Sequence, residues 1–244
     1  MSRQFAVFDI DGTIVRTSLM QLIVKELVNR GQLDGAVAGD IERLIHDGRQ
    51  RIADDTFGGY MRQALEMIIK HSGGALSIKN YQDAIDSVAL SLNSTTYVYT
   101  RQLIDTLKKN NFFLIAISGS EQRAVQAISK SLGFDTCAAG VYYIDDGTNL
   151  TGETQRFNGK KDDILKTIIA KHELNPRGSM AVGDTSSDIP MFSMVAQPIA
   201  FNPNQALFKI ARDNKWMVVL ERKDMVYGMQ QDETGQYSLK SVNI

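Results

Sequence analysis

The chain has 244 residues, 43% of them hydrophobic and 23% charged, with 27 basic against 28 acidic side chains and a formal net charge of −1. That is the composition of a folded globular chain long enough to bury its own core, and its near-neutral balance offers no field to draw in nucleic acid or an anionic membrane. Cys137 is the one cysteine, which excludes an intramolecular disulfide and any multi-cysteine metal site and fits a reducing compartment.

In chain order, Met-Ser-Arg-Gln leads into Phe5–Ile10, a compact apolar, β-prone run interrupted by Asp9 and closed by Asp11-Gly12. It reads as a buried strand entering a turn, and it is too short for the apolar part of a signal peptide. No stretch reaches the roughly 18 apolar residues of a membrane span. A cytoplasmic protein, monomeric or homodimeric and without a membrane partner, is expected. The next hundred or so residues hold helical stretches at Leu19–Val28, Phe57–Ile69 and Tyr81–Leu92, with no convincing strand. A crossover helix needs far less chain, so a small helical domain inserted after the first strand is the simplest reading.

From Thr100 the pattern alternates. The Thr100–Lys109 segment puts Leu103, Ile104 and Leu107 on one helix face, and Phe112–Ile117 reads as a strand. Arg123–Leu132 is helical again, with Gly133 as its stop. The Val141–Thr151 segment, built around Asp-Asp-Gly-Thr, predicts a β-hairpin outside the main sheet. Ile164, Leu165, Ile168 and Ile169 mark a further helix, and Met180–Val182, Pro198–Phe201 and Trp216–Leu220 mark strands. Strands alternating with helices predict an α/β fold, a Rossmann-like parallel sheet flanked by helices, with the helical domain inserted. The expected boundaries are a core of residues 1–15 and 96–225, a cap of residues 16–95, and a C-terminal tail of residues 226–244 without chemical signal.

Ligands of open parallel sheets bind beyond the carboxyl ends of the strands. Four polar groups stand at such positions. Asp9-Ile10-Asp11-Gly12-Thr13 places two carboxylates at a strand end, where close acids either share a cation or divide the roles of base and acid. Ser118-Gly119-Ser120 ends a strand and opens a helix, so a hydroxyl and free N–H groups there make an anion site, unless Ser120 merely caps the helix. Lys160-Lys161 precedes the Asp162–Ala170 helix and could hold charge on a phosphate, although such a pair is usually solvated surface. Gly183-Asp184-Thr185-Ser186-Ser187-Asp188 offers oxygen-only ligands suited to a hard cation such as Mg²⁺. Each group has a plain structural alternative. Their joint placement at one sheet edge is what points to chemistry.

The order of these groups resembles the haloacid dehalogenase superfamily, in its phosphoserine-phosphatase-like branch with a helical cap after the first motif. Asp9–Thr13, Ser118, Lys161 and Gly183-Asp184 through Asp188 match its four motifs, and Leu132–Asp135, Leu150–Glu153 and Pro198–Pro203 match the branch. The resemblance implies a Mg²⁺-dependent phosphatase acting on a small-molecule phosphate ester. Asp9 would be the nucleophile and Asp11 the general acid and base. Ser118 and Gly119 would bind a phosphoryl oxygen. Mg²⁺ would be held by the Asp9 carboxylate, the Asp11 carbonyl and Asp184, with Asp188 orienting that set. An acid at Asp11 fits a leaving alcohol that needs a proton, unlike a halide. Lys161, followed by Asp-Asp-Ile-Leu, fits the pattern better than Lys160.

The resemblance also has a gap. Phosphoserine phosphatases carry a glutamate nine residues after the nucleophile, and Ser18 stands there in this chain. Arg49, Arg51 and Arg62 are candidates to meet an anionic substrate group from the cap. His46, His71 and His172 show no metal-ligand spacing, Ser118 lacks the Gly-x-Ser-x-Gly frame of serine hydrolases, and no Gly-x-Gly-x-x-Gly follows the first strand. A phosphotransferase or mutase of the same superfamily, and a non-catalytic phosphate-binding module, are the competing readings.

Overall fold

The structure is a computed structural model that describes residues 2–50, 56–156, 160–223 and 225–241. The first strand, β1 (Gln4–Phe8), lies inside an eight-stranded sheet. After it come four helices, α1 (Leu19–Asn29), α2 (Gly35–Gln50), α3 (Thr56–His71) and α4 (Ile78–Leu90), with a two-residue strand β2 (Leu76–Ser77) before α4. The chain returns through α5 (Val98–Lys109), β3 (Phe113–Ile117), α6 (Gln122–Leu132) and β4 (Thr136–Ala138). The hairpin β5 (Val141–Asp145) and β6 (Asn149–Arg156) follows, then α7 (Lys161–Lys171), β7 (Asn175–Gly183) and the short α8 (Ile189–Phe192). Last come β8 (Gln197–Phe201), α9 (Gln205–Asp213), β9 (Met217–Arg222), β10 (Met225–Gln231) and β11 (Tyr237–Ser241).

The sheet order is β11-β10-β9-β8-β7-β1-β3-β4. From β4 to β9 the neighbours run parallel, and the strands buried on both faces, such as β3 and the Phe5–Phe8 part of β1, read as unbroken apolar runs instead of alternating ones. In β1 the two-residue period sorts Phe5 and Val7 to one face and Ala6 and Phe8 to the other. The first face packs with Leu165, Phe192 and Leu207 of the flanking helices. The second is continuous with Leu19, Ile23, Tyr81 and Ile85, so the inserted helices share its core. Register aligns the strand ends: Phe8 sits opposite both Ala116 and Val182, and Gly183 opposite Ala200. The residues that follow β1, β3 and β7 therefore emerge at one edge.

Two features differ from the sequence reading. The insertion does contain a strand, because Leu76 and Ser77 pair antiparallel with Leu150 and Asn149 of the hairpin. Two residues are too few to show a period. The hairpin lies outside the main sheet as expected, and through β2 it holds the base of α4. Beyond Leu220 the chain continues β9 to Arg222 and adds β10 and β11 antiparallel to the sheet, so the stretch from 225 to 241 is mostly strand. These edge strands mix polar and apolar residues and leave Met225, Tyr227 and Leu239 partly exposed, which blurs their signal.

The chain crosses between sheet and insertion twice, and the two crossings are tied together. Val15 and Thr96 form an isolated bridge, Arg16 N–H donates to the Thr95 carbonyl at 2.9 Å, and Tyr97 N–H donates to the Ile14 carbonyl at 2.9 Å. Glu221, buried on β9, accepts from the Arg16 guanidinium at 2.5 Å and from the N–H groups of Val98 and Tyr99 at 3.1 and 2.8 Å. Arg16 also lies over the Tyr97 ring, 4.7 Å from its centroid. Among the described residues no helix is long and apolar enough to cross a membrane.

Candidate active site

Asp9 follows β1 directly, and its N–H still donates to the Val182 carbonyl at 3.0 Å, so it leaves the sheet beside β7. Its carboxylate is nearly buried and meets Lys161 Nζ at 2.6 Å. Lys161 is the first residue of α7, and its Nζ also lies 2.6 Å from Asp188 Oδ1. Lys160, by contrast, is the exposed N-cap position of that helix and has no side-chain capping bond. The helix start thus turns one lysine of the pair inward and the other out.

Asp188 is fully buried, and both of its oxygens are engaged. Oδ1 faces Lys161, while Oδ2 accepts from the N–H groups of Asp184 and Thr185 at 3.0 Å each. It thereby fixes the loop that carries Asp184, whose Oδ1 accepts from Thr13 Oγ1 at 3.3 Å. This loop is a 3₁₀ turn, Ser186–Asp188, continued by α8 with Pro190 in its first turn, where a missing N–H costs nothing. Gly183 permits the approach: a Cβ there would stand 2.4 Å from Asp188 Oδ2 and 2.7 Å from its Cβ. Gly183→Ala is therefore expected to force the buried Asp188 aside at a cost of about 1–3 kcal/mol, read as a lower urea midpoint with unchanged m-value. Gly12 is tighter still, with φ at +84° and a hypothetical Cβ only 2.2 Å from Asp184 Oδ2.

Asp11 faces the other way, toward β3. Its Oδ2 accepts from Ser118 Oγ at 2.9 Å and Ser120 Oγ at 2.7 Å, and its Oδ1 accepts from Leu19 N–H at 2.6 Å, at the start of α1. The two acids of the Asp-x-Asp pair therefore have different partners, a cation for Asp9 and neutral donors for Asp11. Ser120 does not cap α6; Glu121 does, accepting from Ala124 N–H at 3.2 Å. The hydroxyl of Ser120 is a contact that sequence reasoning assigned only to capping. Its signal was the spacing, since a second hydroxyl across Gly119 can turn toward the same point as Ser118.

Electrostatics set the acids apart. Burial pushes the Asp9 carboxyl up to about 7, against the pull of Lys161, and the charges of Asp188 and Asp11 add to the rise. Burial also works against the Lys161 ammonium, but Asp188 and Asp9 more than offset it, and the lysine holds its proton well above its ordinary range. One oxygen each from Asp9, Asp184 and Asp188 lies within 4.8 Å of the other two. All the donors are oxygen and carboxylates outnumber the ammonium they share, which suits a hard divalent cation. Since Asp188 already spends its oxygens on Lys161 and two N–H groups, Asp9 and Asp184 are the better placed to hold one.

The cap arginines are placed less tellingly. Arg62 is largely exposed and pairs with Glu66 one turn along α3 at 2.9 Å, the geometry of a solvated helix surface. Arg51 and the side chain of Arg49 lie outside the described residues. Ser18 is buried and caps α1, accepting from Gln21 N–H at 3.2 Å in a reciprocal box with the Gln21 side chain.

A parallel sheet with an acidic pair after its first strand, a hydroxyl loop after β3, an inward lysine and a second acidic loop after β7 defines a particular class of hydrolase. The profile of the haloacid dehalogenase-like hydrolase family matches residues 6–193, and the chain belongs to that family. Among its relatives, a phosphoserine phosphatase of Methanocaldococcus jannaschii is 23% identical over 226 residues, covering 91% of this chain and 94% of that protein. Another, from Wolinella succinogenes, is 27% identical over 136 residues, 54% of this chain and 63% of the relative. A solved phospho-aspartyl intermediate analogue of a phosphoserine phosphatase shares the fold with a TM-score of 0.66 at 22% identity, covering 92% of this chain and 96% of the other.

Proposed function

We propose that the chain is a Mg²⁺-dependent phosphatase that hydrolyses a small-molecule phosphate monoester, with Asp9 carrying the phosphoryl group between two half-reactions. The observation that supports this most directly is Lys161 Nζ held 2.6 Å from both Asp9 and Asp188, beside the Asp184 loop. A carboxylate attacks a phosphate dianion poorly because like charges repel, and a fixed ammonium at the nucleophile reduces that repulsion. Mg²⁺, held by the Asp9 carboxylate, the Asp11 carbonyl and Asp184, would supply further neutralisation of the phosphoryl oxygens. Asp188 would keep that set oriented through its bonds to the Asp184 and Thr185 N–H groups.

In the first half-reaction an Asp9 oxygen bonds to phosphorus and the ester P–O bond breaks. The electron pair stays on the leaving oxygen, which takes a proton from Asp11. In the second, Asp11 takes a proton from water as the water oxygen bonds to phosphorus. The bond from phosphorus to Asp9 breaks, inorganic phosphate leaves, and both acids return to their starting forms. Ser118 and the Gly119 N–H hold a phosphoryl oxygen throughout. Asp11 faces the Ser118 loop while Asp9 faces Lys161, a division that fits an acid and a nucleophile on opposite sides of one phosphorus.

Relatives named phosphoserine phosphatases favour a small monoester as substrate. The phosphoserine molecule itself is not favoured, because Ser18 is neutral, buried and committed to capping α1, and so offers no carboxylate to an ammonium. A panel of alkyl, sugar and amino-acid phosphates assayed for phosphate release with Mg²⁺ tests the reading. Release from at least one ester, with phosphoserine no better than other alkyl esters, is expected. No release from any ester would overturn it.

A further inference from the structure

We propose that Ser120 is a positioning residue for Asp11, keeping the acid–base carboxyl in place when Ser118 turns to the phosphoryl group. The inference rests on the phosphatase reading above. A serine hydroxyl carries one proton to donate, and here that of Ser118 is given to Asp11 Oδ2 at 2.9 Å. It cannot also donate to a phosphoryl oxygen. Once substrate takes it, Asp11 Oδ2 loses one of its two donors and depends on Ser120 Oγ, the closer of them at 2.7 Å.

Ser120 is built to stay. It is 3% exposed, and its main chain is pinned on both sides. Its carbonyl accepts from the N–H groups of Gly140 and Val141 at 3.2 and 3.4 Å, at the entry to β5. Gly140 is pressed so close to the loop that a Cβ there would meet the Gly119 carbonyl oxygen at 2.7 Å. The Ser120 N–H donates to Ser118 Oγ at 3.0 Å, so the same residue that holds Asp11 also aims the hydroxyl that must release it. An ionised carboxylate offers about four lone-pair sites. Once Ser118 turns away, Ser120 and Leu19 N–H still hold one site on each oxygen, so the carboxyl stays oriented while lone pairs remain for the transferable proton.

The test compares two esters. p-Nitrophenol leaves readily without a proton, whereas the alcohol of β-glycerophosphate needs one, so mispositioning Asp11 penalises only the second. The quantity to follow is kcat/KM with Mg²⁺, which reports phosphoryl transfer to the enzyme and omits the later hydrolysis. Ser120→Ala is expected to lower it about tenfold or more on β-glycerophosphate and by less than about twofold on p-nitrophenyl phosphate. Ser120→Cys, which keeps the volume but donates weakly, should move the ratio the same way and serves if the alanine variant folds poorly. Equal losses on both esters, or none on either, with an active wild type would overturn the inference alone. A wild type inert on both esters, and on the wider panel, would remove the phosphatase reading and this inference with it.

Discussion

Asp9→Asn is expected to lose phosphatase activity by a factor of about 10⁴ or more while remaining folded, since it removes the proposed covalent nucleophile and with it the step that all later chemistry follows. The fold should not suffer at alkaline pH. The Asp9 carboxyl is raised from its ordinary 3.8 to about 7 by burial, so the folded state binds its proton more tightly than the unfolded chain does. Such a group is neutral in both states below 3.8, costs stability increasingly as pH rises from there to about 7, and carries the full cost above that. A neutral amide of the same shape avoids that cost. Without metal, Asp9→Asn should therefore melt no lower than wild type at pH 8, and the margin should shrink toward pH 5. A variant that lost activity only because it had unfolded, or that kept more than a hundredth of wild-type turnover, would contradict the assignment.

Lys161→Ala is expected to fail on both counts. It removes the cation that Asp9 and Asp188 share and leaves Asp188, with no exposure, as a buried charge held only by N–H donors. Breaking a buried pair in this way costs about 3–5 kcal/mol. Activity should fall about 10³-fold, the loss of a fixed charge beside the transferring phosphoryl group. Lys160→Ala is the control, because that side chain sits exposed at the head of α7, and it should change neither stability nor turnover by more than about twofold. Lys161→Met separates the two effects. It keeps most of the aliphatic packing, so what it loses reflects the charge. Turnover abolished by Lys160→Ala and spared by Lys161→Ala would reverse the assignment of the lysine.

Much of this architecture could be read from the chain because parallel strands are buried on both faces. Phe5–Phe8, Phe113–Ile117 and Ile199–Phe201 are uninterrupted apolar runs, and each ends in polar residues at the edge where β1, β3, β7 and β8 finish together. The positions of Asp9, Ser118 and Asp184 follow from that arrangement alone. Other features needed three dimensions. β2 and β4 have two and three residues, too short for any period, and β10 and β11 alternate imperfectly at an exposed edge. Which lysine of the pair turns inward depends on where α7 begins, one residue before the expected Asp162. The separate surroundings of Asp9 and Asp11 are likewise invisible in a motif that prints them two residues apart. The contact of Ser120 with Asp11 depends on β5 pressing Gly140 against the Ser118 loop, a contact from residues twenty positions downstream.

The proposed chemistry makes a covalent species on Asp9 that a non-catalytic phosphate-binding module cannot make. Wild-type enzyme mixed with a turned-over monoester and Mg²⁺, quenched in acid within a turnover and digested with pepsin, should yield a peptide of the β1 region heavier by one phosphoryl group. Fragmentation should place that group on Asp9, and the Asp9→Asn variant should show none. Phosphate release without a phosphorylated peptide, or with the group on Asp11, would contradict the account.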